Sequence, residues 1–168
     1  MELKIVSGSV VFADVDVVVN AANKYLSKGG GLCGAIFEEA GMDKLAKECS
    51  AIGGCETGSA VITNGYNLKA KKIIHAVGPD YYADTDCPAK LKSAYQKSLE
   101  LADKNGLQSI AFPSISTGIF GYPLEEASNI AVSTILNFKP NNLKVCYLYC
   151  YKEEEFIHYS QALANLLK

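Results

Sequence analysis

VVVNAANKYLSKGGGLCGAI, residues 17–36, opens as an apolar strand and closes as a helix, with three consecutive glycines between them. Val17, Val18 and Val19 form a continuous β-branched run, the pattern of a strand buried on both faces. Asn20-Ala21-Ala22-Asn23 follows, small and polar. Gly29, Gly30 and Gly31 then lead into a helical pattern that runs from Leu32 to Ala40. Glycine carries no Cβ, so another group can approach the backbone closely here. A strand, a glycine turn and a helix start, in that order, turn backbone N–H groups and a helix dipole toward one place.

The rest of the chain repeats this alternation. Period and propensity predict strands at 3–6, 15–19, 60–63, 72–77, 109–112 and 143–149. They predict helices at 32–40, 43–50, 89–105, 124–138 and 154–167. The helix at 89–105 shows Leu91, Ala94, Tyr95, Ser98, Leu99 and Ala102 on one face, and Asn105-Gly106 closes it. Pro123 and Glu125 suit the start of the next helix. Strands alternating with helices imply one α/β domain over residues 1–168, with a mostly parallel sheet covered on both faces. The segment 78–88, GPDYYADTDCP, is expected as a surface excursion.

A second loop has the same character as the first. After the strand SIAF come Pro113, Ser114, Ile115, Ser116, Thr117, Gly118, Ile119, Phe120 and Gly121, and then the helix from Leu124. One glycine loop is explained by a tight turn. Two at strand ends, each with a helix behind it, make a clamp for a diphosphate. Gly29-x-Gly31-x-x-Gly34 matches the dinucleotide fingerprint in form. Asn20 to Lys28 separate it from its strand, however, and the next strand runs into Asn64-Gly65 rather than an acidic residue. A nicotinamide-dependent dehydrogenase is therefore disfavoured.

Composition narrows the partners. The chain has 168 residues, is 49% hydrophobic and 20% charged, and has a net charge of −2. Its scattered lysines argue against nucleic acid, which normally meets a basic stripe. No apolar run approaches the ~20 residues of a membrane span. MELKIVSGSV lacks the pattern of a signal peptide, and a cytoplasmic, monomeric protein is expected. The six cysteines, Cys33, Cys49, Cys55, Cys87, Cys146 and Cys150, include no C-x-x-C pair. Free thiols are expected, with no metal and no cofactor. His75, within an apolar strand, reads as a core histidine.

The segments VVVNAANKYLSKGGGLCGAI, ETGSAVITNGYNL, KKIIHAVGP and PSISTGIFGYPLEEA together resemble the macrodomain family, in order and spacing over nearly the whole chain. The resemblance implies a three-layer α/β/α fold with a mixed sheet of about six strands. It also implies ADP-ribose as ligand. Ala22, Asn23, Gly30, Gly31, Leu32 and Cys33 on the first loop, and Ser116, Thr117, Gly118, Ile119 and Phe120 on the second, would then surround the diphosphate and distal ribose. Asn23 would hydrogen-bond that ribose, Leu32 and Ile119 would wall the clamp, and Phe120 would pack near the sugar. Ser9, Val10 and Tyr151 would meet the adenine.

Two positions depart from the family's pattern. MacroD-like hydrolases carry an Asp ten residues after the second Asn of N-A-A-N, where this chain has Cys33. The family's G-D-I near the N-terminus is Gly8-Ser9-Val10 here. The resemblance implies hydrolysis of ADP-ribose esters, on ADP-ribosylated proteins or O-acetyl-ADP-ribose, with Asn23 and Cys33 in the catalytic region. Cys33 is expected to line the site without being the nucleophile, because an adjacent diphosphate opposes a thiolate. A non-catalytic reader of ADP-ribose needs the same clamp, so the sequence leaves that alternative standing.

Overall fold

The computed structural model describes all 168 residues as one α/β/α sandwich. The strands are β1 (Glu2–Ser7), β2 (Val17–Ala21), β3 (Ala60–Asn64), β4 (Lys72–Ala76), β5 (Ser109–Phe112) and β6 (Val145–Cys150). The helices are α1 (Gly31–Ala40), α2 (Met42–Ile52), α3 (Cys87–Lys104), α4 (Leu124–Asn137) and α5 (Glu153–Leu166). A short 3₁₀ turn, Val10–Phe12, lies between β1 and β2. No helix is long and apolar enough to cross a membrane.

The six strands lie in the order β1-β6-β5-β2-β4-β3. All neighbours are parallel except β3, which runs antiparallel to β4 at the edge. The expected mixed, mostly parallel sheet is therefore present. Strand alternation sorts the core. Val17 and Val19 join Ile74, Ile110, Phe112 and Leu148 beneath α3, α4 and α5. Val18 joins Ile73 and Ala111 beneath α1 and α2, with Ile36, Phe37 and Leu45. The strand bundle is thus apolar on both faces, which is why its sequence reads as continuous valine and isoleucine.

β2 begins and ends two residues later than the expected 15–19 span. Its ladder with β4 runs on through Asn20↔His75 and Ala21↔Ala76. Asp16, expected in the strand, instead anchors the start of β5. Its carboxylate accepts from Gln108 N at 2.8 Å, and its own N–H donates to Ser109 Oγ at 2.8 Å.

β2 and β5 are paired only at Val17↔Ile110 and Val18↔Ala111. Beyond that point β2 stays bonded to β4, while β5 stays bonded to β6 through Phe112↔Leu148. The sheet therefore splits at its carboxyl edge between β2 and β5. In parallel sheets such a split is where ligands bind.

Candidate functional site

Both glycine loops leave the sheet at this split. The first runs from the end of β2 to α1 and the second from the end of β5 to α4, so two helix N-termini face the same opening. Gly30 is the N-cap of α1, and a Cβ on Gly30 or Gly31 would meet no atom within 4 Å. Gly31 has φ +54°, which a glycine adopts freely. Gly34 is required for another reason: a Cβ there would lie 2.6 Å from the Gly29 carbonyl oxygen, which folds back over the first helical turn.

Asn23 holds the first loop in shape. Its Oδ1 accepts from Tyr25 N at 3.0 Å, Ser27 N at 3.2 Å and Ser27 Oγ at 3.3 Å. Its Nδ2 donates one proton to Ser27 O at 2.9 Å. The acceptor is thus saturated, and one N–H remains for a ligand. The segment behind the loop braces this turn, with Cys55 N donating to Lys24 O at 2.9 Å.

Cys33 was expected to line the cleft, but its side chain is turned inward. The residue is 7% exposed and belongs to the buried cluster that includes Val10, Val11 and Ala22. Its Sγ lies 3.6 Å from Ser27 O and 3.5 Å from Asn20 Nδ2. The cause is helical phase: Cys33 shares the inward face of α1 with Ile36 and Phe37. Asn20 in turn donates to His75 Nδ1 at 3.1 Å, and His75 Nε2 lies 2.9 Å from Thr63 Oγ1. Thr63 gives its own proton to Asn64 O at 3.2 Å, so His75 carries its proton on Nε2 and offers Nδ1 to Asn20. Burial holds the imidazole pKa down at about 4, opposed by the Glu48 charge. The reading of His75 as a core histidine thus agrees with its burial.

The second loop is held from two sides. Ser116 has φ +69°, uncommon for a residue with a Cβ, and its carbonyl accepts from Tyr122 N at 2.9 Å. A Cβ on Gly78, just past β4, would lie 2.5 Å from Ile115 Cγ2 and would overlap Ser116 Oγ. The segment 78–88 is therefore more than a surface excursion. Tyr81 N donates to Phe120 O at 2.8 Å, the Tyr81 ring packs on Tyr122 at 4.9 Å, and the Tyr82 ring covers Gly121 where a Cβ would be. Gly118, by contrast, has open space at its Cβ position. Ile119 is 93% exposed, and Leu32 and Phe120 are half-buried.

Ser9, Val10 and Tyr151 come together at the neighbouring strand ends. Ser7 pairs with Cys150, and Gly8 N donates to Cys150 O at 3.0 Å, so the residues following β1 and β6 emerge side by side. The Ser9 hydroxyl caps the 3₁₀ turn by accepting from Val11 N at 3.3 Å. Val10 is buried, and the Tyr151 ring is 81% exposed. Along the sheet edge the order is Ser9, Tyr151, second loop, first loop: a flat aromatic end followed by a two-loop clamp. The loops carry no carboxylate and no imidazole; their charged side chains are Lys24 and Lys28. A separate groove of about 390 Å³ between α3 and α4 offers one charged group, Lys92, and the chemistry stays with the loops.

Some relationships in the site are not read from sequence. Asn20 and His75 are each visible in the sequence but not as partners; they pair directly across two apolar strands, and two polar interruptions of that kind are the available signal. Tyr81 and Tyr82 had no such signal, because only the fold brings them onto Gly121.

Comparison with known proteins gives the same answer from several directions. Residues 19–131 match the family model described as Macro domain. An O-acetyl-ADP-ribose deacetylase of Cronobacter turicensis is 44% identical over 171 residues, covering 97% of this chain and 96% of that protein. The ADP-ribose glycohydrolase MACROD2 of Xenopus laevis is 47% identical over 137 residues, 80% of this chain but 32% of that protein. Among solved structures, the Oceanobacillus iheyensis macrodomain with ADP superposes with a TM-score of 0.93 at 37% identity, covering 98% of this chain and 91% of that one. The Trypanosoma brucei macrodomain in complex with ADP-ribose gives 0.89 at 38% identity, covering 96% and 69%.

Proposed function

This chain belongs to the macrodomain family, and from that premise we propose that it binds ADP-ribose in the β2–β5 cleft and hydrolyses ADP-ribose esters. The observation that carries the reading is the split sheet edge, with two glycine loops and two helix N-termini facing one gap. The diphosphate lies between the loops, on the backbone N–H groups around Gly30–Gly31 and Thr117–Gly118. The adenine lies at the Ser9–Tyr151 end, where a free aromatic face suits a purine. The distal ribose lies toward Asn23, whose remaining N–H donates to a ribose hydroxyl, with Phe120 nearby.

The substrates are ADP-ribosylated acidic side chains of proteins, or O-acetyl-ADP-ribose, which yields ADP-ribose and acetate. For a protein ester, a water oxygen bonds to the anomeric carbon of the distal ribose as that carbon's bond to the carboxyl oxygen breaks. The carboxylate leaves with the electron pair. The water's proton passes to a ligand phosphate oxygen, because the loops present neither carboxylate nor imidazole. Positioning and preorganised backbone dipoles then supply most of the rate.

A non-catalytic reader is the second reading, favoured by Cys33 at the position where the MacroD-like pattern has an Asp. Two measurements decide. Calorimetry with ADP-ribose should show one site without added metal. A single-turnover assay on an ester-linked ADP-ribosyl protein should release the modification. Binding without turnover of the ester-linked protein or of O-acetyl-ADP-ribose, assayed in the same way, would replace the hydrolase by the reader, and absence of binding would reject both.

A further inference from the structure

A line of hydroxyl groups runs from the helix layer into the second loop. Tyr159 on α5 is 1% exposed. Its hydroxyl lies 2.7 Å from Ser114 Oγ, and Ser114 Oγ lies 2.6 Å from Thr117 Oγ1. Tyr95 on α3, 0% exposed, accepts from Ile115 N at 3.2 Å, which fixes the intervening residue. Burial pushes the Tyr159 pKa up to about 12, a rise limited by contacts with the Ser114 and Tyr95 hydroxyls, so Tyr159 keeps its proton.

The direction of each bond follows from counting protons. A buried phenol must donate, because an orphaned O–H is costly. The Tyr95 oxygen already accepts from Ile115 N and its proton turns toward Tyr159, so Tyr159 gives its own proton to Ser114 Oγ. Ser114 Oγ could accept a second time from Thr117, but its own single proton would then find no side-chain acceptor; donation from Ser114 to Thr117 Oγ1 is the arrangement that uses every proton of the line. Thr117, having accepted, has its own proton left over, and no atom of the protein takes it. Thr117 is half-buried at the tip of the loop, between Ser116 and open Gly118. Without the chain behind it, the Thr117 hydroxyl could turn inward and donate to Ser114. With it, an inward turn of Thr117 leaves the Ser114 proton without a partner and is disfavoured.

We infer that Tyr159 and Ser114 are positioning residues that lock the Thr117 hydroxyl as an outward-facing donor to the ligand's diphosphate. This rests on the binding function proposed above. A site that must hold an anion gains from donors oriented before the anion arrives, since no reorganisation is then needed. Phenylalanine at position 159 would fill the same core volume, so the hydroxyl's place in the chain is what packing alone does not require.

The test is a double-mutant cycle on ADP-ribose affinity, read by calorimetry, with Tyr159→Phe, Thr117→Val and the pair. Each single change should weaken binding by about three- to tenfold, the worth of one hydrogen bond. The pair should be no weaker than Thr117→Val alone, because Tyr159 acts only through Thr117. Ser114→Ala should behave as Tyr159→Phe, and Thr117→Ser should restore wild-type affinity. Thermal midpoints are followed so that any unfolded variant is replaced by Ser114→Ala in the cycle. Wild-type protein that binds no ADP-ribose overturns the function and this inference together. Wild type that binds, with Tyr159→Phe unchanged or with fully additive losses, overturns only the positioning role.

Discussion

The side-chain nitrogen of Asn20 lies 3.5 Å from the sulfur of Cys33, tying the end of β2 to the first turn of α1. The thiol thus faces the strand rather than the cleft, and it does so from a 7% exposed position. Cys33→Ala should then keep most of the hydrolysis of ester-linked ADP-ribose, at a stability cost of about 1 kcal/mol for the lost packing. Cys33→Asp would bury a carboxylate against Asn20 and Ser27 O rather than aim it at the cleft, so it should cost stability and bring no general-base gain in rate. Rate and affinity are measured together. A folded Cys33→Ala protein that binds but does not turn over would give the thiol a direct role.

Asn23 combines a scaffold task and a ligand task, and these separate by substitution. Asn23→Asp keeps the oxygen that accepts from Tyr25 N and Ser27 N, but it replaces the donor to Ser27 O by a carboxylate oxygen, so the turn is kept at a cost. It removes both side-chain N–H groups, including the one left for the ribose. The expected result is a thermal midpoint lowered less than in Asn23→Ala, with turnover reduced by at least about tenfold. Asn23→Ala should lose both. Equal loss of fold in the two variants would confine Asn23 to the scaffold.

Gly118 gives a clean way to block the clamp. Nothing lies within 4 Å of a Cβ at this position, and its φ is outside the left-handed region. Gly118→Glu should therefore fold normally and place a carboxylate beside the diphosphate. Calorimetry should show no measurable ADP-ribose binding. Unchanged affinity in the folded variant would move the ligand out of the two-loop cleft.

Much of this architecture was legible because it repeats. The alternation of Val17, Val18 and Val19 between two cores, and the buried face of α3 from Leu91 to Ala102, follow from periods of about 2 and 3.6 residues. Features without a period stayed hidden. The Val10–Phe12 turn is three residues long and carries no repeat. Asn20 and Ala21 looked like loop because the strand that pairs them, His75 and Ala76, lies 55 residues away. The glycine motifs announced two loops. They did not announce that Asn23 spends its acceptor on its own turn, or that Tyr82 covers Gly121. Those are tertiary facts, fixed by the sheet order rather than by neighbours in sequence.

Ser9 sits where the family pattern that the sequence resembles, G-D-I, has its Asp, and the adenine is proposed to lie beside it. Its hydroxyl caps the 3₁₀ turn, and an aspartate caps as well as a serine does. Ser9→Asp should therefore preserve the turn and add a charge-assisted acceptor for the adenine amino group. Such a bond is worth about 1.5–3 kcal/mol, so affinity for ADP-ribose should rise about tenfold or more. Adenosine-free ribose 5-phosphate should show no gain. A loss of ADP-ribose affinity in the folded variant would place the adenine elsewhere.

His75 makes stability depend on mild acid. It is 1% exposed, and burial lowers its pKa from 6.5 to about 4, against the opposing pull of Glu48. Between these values the unfolded chain takes up a proton that the folded chain refuses. Stability from this residue is thus complete above pH 6.5 and declines as pH falls toward 4. From pH 7 to pH 5 the loss should be about 2 kcal/mol. Urea midpoints measured across that range give the slope. His75→Leu removes the titrating group while leaving Asn20 Nδ2 and Thr63 without this partner. It should lower stability at pH 7 and flatten the dependence between pH 5 and pH 7. A variant as steep as wild type would assign the acid sensitivity to other groups, and with it remove the neutral imidazole as the acceptor that holds Asn20 against Cys33.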